Sequence, residues 1–411
     1  MKINEGFLAQ MREATQLLQS EGPMAATAAI QRALHGATTP DGASAQPDWS
    51  HFLPQQPELQ DINSLPASGA DMLARLRTLA QGKWTGAALR EAIEDVDVHE
   101  VVDTGDDAGM KGRFLSGSCT NRAGTRAYKL YIPSGYSGEA LPLIVMLHGC
   151  TQNPDDFAAG TGMNAVAEEN NCFVVYPAQT KSANGSNCWN WFQPGDQRRD
   201  KGEPSIIADI TREIIRTYKI DTSRIYVAGL SAGGAMAVVM GASYPELYAA
   251  VGIHSGLPYA VAHDVPSALA AMKSRRAKAA TRNVGIGAKA PAPLGHPLPV
   301  IVFHGDRDTT VHPGNGDQVL AQCVPSAGFM PAEGKDGAAK VEKGKIPNGR
   351  GYTKIIHNDA HGKALAEKWI VHGAGHAWSG GSSKGSYTDP KGPDAAREML
   401  RFFYTHRLNA S

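Results

Sequence analysis

One serine in this chain stands between glycines, in Gly229-Leu230-Ser231-Ala232-Gly233. G-x-S-x-G spacing suits a sharp strand-to-helix turn, because glycines on either side allow a tight bend that holds the serine hydroxyl clear of a sheet. The residues before it, RIYVAG at 224–229, read as a strand, and the small residues after it read as a helix start. In that setting Ser231 is a candidate nucleophile toward an acyl carbon, and the amide of Ala232 at the helix N-terminus is a candidate donor to the developing oxyanion. A serine nucleophile needs a base, and the base needs a group to orient it. His376 ends the run Gly373-Ala374-Gly375-His376 after an apolar stretch at 368–371, and the small residues leave room for the loop to carry the imidazole over the serine. The carboxylate lies in His304-Gly305-Asp306-Arg307-Asp308, after an apolar stretch at 299–303. Either Asp306 or Asp308 could reach the imidazole; His-Gly-x-x-Asp with Val311 following favours Asp308.

Ser231, Asp308 and His376 occur in the chain order of α/β-hydrolases. In that fold a loop after an earlier strand supplies a second oxyanion donor, and His148-Gly149-Cys150 follows LIVML at 143–147, which makes the Cys150 N–H the candidate. Cys150 as a nucleophile is the weaker reading, since Ser231 already has its strand, turn and helix. Most of the 14 histidines read as surface or structural. His254, at the end of an expected strand, could line the site, although a structural role fits it better, and His304 and His312 read as shaping the acid loop. No H-E-x-x-H or comparable spacing occurs, so neither a metal nor a cofactor is expected. The run Asn187-Cys188-Trp189-Asn190-Trp191-Phe192 is dense in aromatics for a chain that is 7% aromatic. It is either a hydrophobic cluster under a loop or a wall of the acyl pocket, and Trp189, Trp191 and Trp378 are carried as substrate-contact candidates.

The elements that must hold these residues follow from periodicity. From residue 118 onward, short apolar strands alternate with helices, as in an α/β sheet. Expected strands cover 126–133 as an edge, then 143–147, 173–176, 224–229, 250–253, 299–303 and 368–371; expected helices cover 205–218 and 395–407. Residues 259–296 contain the basic group Lys273, Arg275, Arg276 and Lys278 and then a Gly/Ala/Pro-rich run. They read as a loop, with a cap over the site as the alternative. Before residue 118, helical spacing at 5–35 broken at Gly22-Pro23, a Pro/Gln/Asp/Ser-rich linker at 37–69, a helical patch at 70–79 and a polar stretch at 105–112 describe an appendage. The expected organisation is an N-terminal helical extension and linker over 1–117 and an α/β-hydrolase catalytic domain over 118–411, its central sheet mostly parallel.

Composition excludes several classes. Forty basic against 40 acidic residues leave no net field to attract nucleic acid. The longest strong apolar run, 143–147, is far from the roughly 18 residues that a spanning helix needs. Glu5, Arg12 and Glu13 interrupt any secretory core, so no signal peptide is read and a cytoplasmic or granule-associated location is expected. Five cysteines without a CxxC pair fit neither a zinc ribbon nor a thioredoxin-type motif.

With these residues together, residues 118–408 resemble the poly(3-hydroxybutyrate) depolymerase family of esterases. The resemblance rests on HGCTQN (148–153), CWNWF (188–192), GLSAGGAM (229–236), HGDRDTTV (304–311) and GAGHAWSGG (373–381). It implies a serine esterase acting on short-chain hydroxyalkanoate polyesters or their oligomers, with relatives that cleave feruloyl or acetyl esters of plant polysaccharides. It also implies a disulfide between Cys150 and Cys188 and secretion to an oxidising compartment, where such bonds persist. Secreted depolymerases of crystalline polymer carry a linker and a C-terminal binding domain, whereas this chain ends after its last helix, which weakens the expectation of crystalline polymer as substrate. The N-terminal helices would pack on the core or attach the enzyme to a polymer or granule surface. The competing functions are a feruloyl or acetylxylan-type carbohydrate esterase and, from another class, a non-catalytic polymer- or granule-binding protein, against which the intact Ser231, Asp308 and His376 argue.

Overall fold

A computed structural model of the chain describes residues 111–273, 294–324, 339–359 and 362–408. The helices and linker expected over 5–79, and the part of the basic group beyond Lys273, lie outside the described residues.

Ten strands form one sheet. In chain order they are β1 (Arg113–Asn121), β2 (Gly124–Ile132), β3 (Leu141–Leu147), β4 (Phe173–Pro177), β5 (Ile220–Leu230), β6 (Ala250–His254), β7 (Val300–Gly305), β8 (Lys340–Lys345), β9 (Gly351–Asn358) and β10 (Ala364–Val371). Their spatial order is β1-β2-β4-β3-β5-β6-β7-β10-β9-β8. The run from β4 to β10 is parallel, and an antiparallel pair closes each end. This is the mostly parallel α/β-hydrolase sheet that the motifs imply.

Parallel strands buried on both faces need apolar residues at consecutive positions, and LPLIVML in β3 is buried throughout. Its residues alternate between two cores. Leu143, Val145 and Leu147 face a layer that includes α3 (Gly202–Thr217), α4 (Ala232–Ser243) and α6 (Gly314–Cys323). Ile144 and Met146 face α1 (Pro154–Thr161), α2 (Met163–Asn170) and α7 (Ala395–Phe403). Each such fully buried aliphatic side chain contributes roughly 1.5–3 kcal/mol. The last helix shows how sequence sets its place. Asp394 caps it by accepting from Arg397 N at 3.0 Å, and Met399, Leu400, Phe402 and Phe403 turn inward, with Phe403 stacked on Tyr226 of β5 at 4.8 Å.

The structure corrects three expectations. Residues 126–133 are not an edge, because β2 pairs with β1 on one side and β4 on the other; an antiparallel strand with one open face alternates in the same way wherever it sits. β1 itself straddles the expected boundary at residue 118. Within 259–296, where a loop is expected, residues Val265–Lys273 form α5.

Candidate active site

Four parallel strands deliver the chemistry-bearing residues to one edge of the sheet. Cys150 follows β3, Ser231 follows β5, Asp308 follows β7 and His376 follows β10, so all four lie beyond strand C-termini, where open α/β sheets bind ligands. Cys150, Ser231 and His376 are partly exposed, and Asp308 is buried.

Ser231 occupies the turn between β5 and α4 at φ 57° and ψ −117°. A non-glycine residue is costly there, and the surroundings hold it: Ser231 N donates to His254 O at 2.9 Å, and Ser231 O accepts from Ala235 N at 2.9 Å. Close packing of α4 against β3 explains the second glycine. A Cβ on Gly233 would stand 1.9 Å from Leu147 O, so the helix carrying the elbow fits only with hydrogen at that position. As the first residue of α4, Ala232 has an N–H without an intrahelical acceptor.

Asp308 Oδ2 lies 2.7 Å from His376 Nδ1. Since a carboxylate can only accept, His376 carries its proton on Nδ1 and leaves Nε2 able to receive one. The carboxylate is pinned further by Thr310 N and Val311 N, each 2.9 Å from Oδ1, and by His304 Nε2 at 3.3 Å from Oδ2. Burial alone would raise the carboxyl's pKa, but the bonds from His304 and His376 outweigh it and hold Asp308 well below the usual carboxylate range. Arg307 N donates to Ala374 O at 3.0 Å and Asp306 N to Val371 O at 3.1 Å, which stitches the acid loop to the histidine loop.

The loop after β3 leaves the Cys150 amide without a partner among the described residues. Gly149 N donates to Gln152 Oε1 at 2.9 Å and Thr151 N to Ser186 O at 2.7 Å, while the Cys150 N–H between them has no acceptor among the described residues. This loop abuts the serine: a Cβ on Gly149 would lie 3.7 Å from Ser231 Cβ. Cys150 is bonded to Cys188, which ties the loop to the CWNWF segment.

Two buried histidines support the site without exposing a reactive nitrogen. His148 Nδ1 donates to Gly149 O at 2.8 Å and its Nε2 accepts from Gln179 N at 3.1 Å. His254 Nε2 accepts from Ser379 N at 2.9 Å, so this one residue links the serine, through its carbonyl, to the chain three residues past His376. Burial lowers their pKa values to about 4 for His148 and about 3 for His254. The structural reading of His254 therefore fits its geometry.

The aromatic wall is a correction. Trp189 and Trp378 are 0% and 1% exposed and Trp191 is 6% exposed, so none presents a face to a substrate. Trp189 lies against His148 and Trp378 against His254, with ring centroids 5.6 and 5.3 Å apart. Their role is to pack the histidines that brace the loops. The residues that sequence reasoning passes over are polar and act across long separations. Gln152 reaches both Gly149 N and Ser386. Glu203, buried in the first turn of α3, accepts from Asn190 N and Asn190 Nδ2, each at 2.7 Å, and stands 3.5 Å from Arg126. The Gln in HGCTQN was a visible signal for the first; Glu203 has no local signature. Among the described residues no group of three His, Cys, Asp or Glu side chains could hold a metal ion, and no helix is long and apolar enough to cross a membrane.

The strand order and the elbow place the chain in the α/β-hydrolase class. Within that class, the family model described as Esterase PHB depolymerase matches residues 126–346, and the chain belongs to that family. It is 33% identical over 258 residues to poly(3-hydroxyalkanoate) depolymerase C of Paucimonas lemoignei, covering 62% of this chain and 59% of that protein. A probable acetylxylan esterase A of Aspergillus fumigatus is 31% identical over 217 residues, covering 51% of this chain and 57% of the relative. The chain thus spans somewhat under three fifths of the length of these curated relatives. Among solved structures, an acetyl xylan esterase from Aspergillus awamori shares the fold with a TM-score of 0.50 at 19% identity, covering 71% of this chain and 99% of that one.

Proposed function

We propose that the protein is a serine esterase that hydrolyses poly(3-hydroxybutyrate) or related short-chain hydroxyalkanoate polyesters and oligomers, with Ser231, His376 and Asp308 as its triad. The observation that supports the reading is the Asp308–His376 hydrogen bond, on loops that leave the same ends of the parallel strands as the strained Ser231 turn and the unaccepted Cys150 amide. Family membership and the 33% identity to a polyhydroxyalkanoate depolymerase support the substrate class.

In the first step His376 Nε2 takes the Ser231 hydroxyl proton as Oγ attacks the ester carbonyl carbon. The carbonyl oxygen becomes an alkoxide that accepts from the Cys150 and Ala232 amides. The C–O bond to the alcohol then breaks, and the imidazolium returns its proton to the departing oxygen, leaving an acyl-serine. Water attacks that ester with His376 again as base, and the acid leaves as Ser231 recovers its proton. Asp308 holds the tautomer throughout and stabilises the imidazolium.

The second reading, a carbohydrate esterase, is supported by the 31% identity to a probable acetylxylan esterase. Hydrolysis of amorphous poly(3-hydroxybutyrate), acetylated xylan and p-nitrophenyl butyrate by wild type and Ser231→Ala separates the two. Polymer hydrolysis lost in the variant is expected; acetate release from xylan with no polymer turnover would transfer the protein to the carbohydrate branch. Full activity of Ser231→Ala on every ester would remove the triad.

A further inference from the structure

Tyr387 is the one aromatic among the large hydrophobic side chains left exposed in the described residues, at 48%. Its backbone lies at φ 52°, a region that bulky L-residues rarely adopt and that an exposed ring does little to offset by burial. The surrounding chain imposes this conformation. Tyr387 O accepts from Trp378 N at 2.6 Å, and the residues on either side, Ser386 and Thr388, are held by Asp156 and by pairing with Trp378. The phenol oxygen lies 3.2 Å from Thr151 Oγ1. Since the Thr151 hydroxyl already donates to Cys150 O at 2.6 Å, the tyrosine O–H is the donor in this pair. Tyr387 therefore spans from a residue two positions past His376 to the residue after Cys150.

We propose that Tyr387 is a specificity-determining residue. Its exposed ring forms a wall of the ester cleft against which the apolar part of a bound ester lies, and its hydroxyl holds the loop that presents the Cys150 amide. This fills the place that the buried Trp189, Trp191 and Trp378 cannot fill, and it rests on the esterase reading above. An aromatic face against a short alkanoate chain supplies affinity, whereas the Tyr387–Thr151–Cys150 O bonds hold in place the loop whose amide faces the developing oxyanion, so the ring governs KM and the hydroxyl governs kcat.

The test uses the full chain with p-nitrophenyl butyrate. Tyr387→Ala and Tyr387→Gly are each expected to raise KM about fivefold or more, as loss of an aromatic contact does. Glycine suits the local backbone, so Tyr387→Gly is expected to keep or raise Tm, which separates a lost contact from a loosened fold. Tyr387→Phe is expected to keep KM within about twofold and lower kcat about two- to tenfold, the range of one hydrogen bond. A KM within twofold of wild type for both the Ala and Gly variants, a KM rise that comes only with a falling Tm, or an unchanged kcat in the Phe variant overturns the proposal. Ser231→Ala is the parallel control: an inactive Ser231→Ala beside unaffected Tyr387 variants defeats the wall alone, while an active one defeats the Ser231 triad on which the proposed function rests.

Discussion

Asp306 accepts from its own imidazole: its Oδ2 lies 3.0 Å from His372 Nδ1, and its Oδ1 accepts from Gly373 N at 2.7 Å. The two carboxylates of the acid loop thus serve different histidines, Asp306 pairing with His372 on the exposed side and Asp308 with His376 and His304 in the interior. Asp308→Asn should lower kcat by roughly 10³- to 10⁴-fold, because an amide can donate to Nδ1 and favour the wrong tautomer. Asp306→Asn should stay within about tenfold of wild type, since it loses one exposed pairing. Equal losses in the two variants, measured with p-nitrophenyl butyrate, would mean that the carboxylates share one task.

The bond between Cys150 and Cys188 closes a loop with a sequence separation of 38 residues. Chain-entropy arguments for a loop of that size give roughly 3–4 kcal/mol of stability. Cys188→Ser should therefore lower Tm by several degrees. It should also lower kcat, because the loop bearing the free amide loses its tie to the CWNWF segment. Calorimetry with and without dithiothreitol checks the first effect, and a wild-type Tm indifferent to reductant would contradict it.

Acid should destabilise the fold early. His148 and His254 titrate at about 4 and about 3 when folded, against 6.5 when free, because burial disfavours the charged ring. Between pH 6.5 and 4 the unfolded chain binds protons at these two rings that the native state does not. Stability therefore falls as pH falls, by up to about 1.4 kcal/mol per unit for each histidine. Asp308, held low, adds its own loss only below about pH 4, the free carboxyl range. Tm measured from pH 7 to 4.5 should decline steadily; a flat profile would show that the rings are protonated in the native state.

Gly233→Ala places a methyl group 1.9 Å from Leu147 O, and backbone on both sides can yield only by moving α4 away from β3. The expected result is a loss of several kcal/mol or failure to fold, far beyond the usual effect of a surface Gly→Ala change. A soluble Gly233→Ala protein with wild-type Tm would show that the helix is less tightly seated than these distances indicate.

The candidate site is legible in the sequence because Ser231, Asp308, His376 and Cys150 each sit in a short motif whose neighbours carry the geometric requirement: glycine where backbones touch, an apolar run where a strand must precede. What sequence could not convey lies in contacts between distant segments. Ser386 meets Asp156 across 230 residues, and neither residue has a local pattern that announces the other. The tryptophans mislead for a related reason, since aromatic density predicts buried area but not which side of a loop buries it. The β8–β9 hairpin carries no strand signal in the sequence because KVEKGK is mostly charged and lies on an exposed edge, which reads as a solvated surface.

The position of β5 in the sheet bears on how the protein would lose activity under stress. Residues 226–229 are laddered to β3 on one side and β6 on the other, so exposing their amides to solvent requires both ladders to open. In hydrogen exchange those amides belong with the last to exchange, through global unfolding, whereas β8, with one neighbour, exchanges by local fraying. Because the serine leaves directly from that slow segment, thermal inactivation should follow the rate of whole-domain unfolding rather than any earlier opening of an edge.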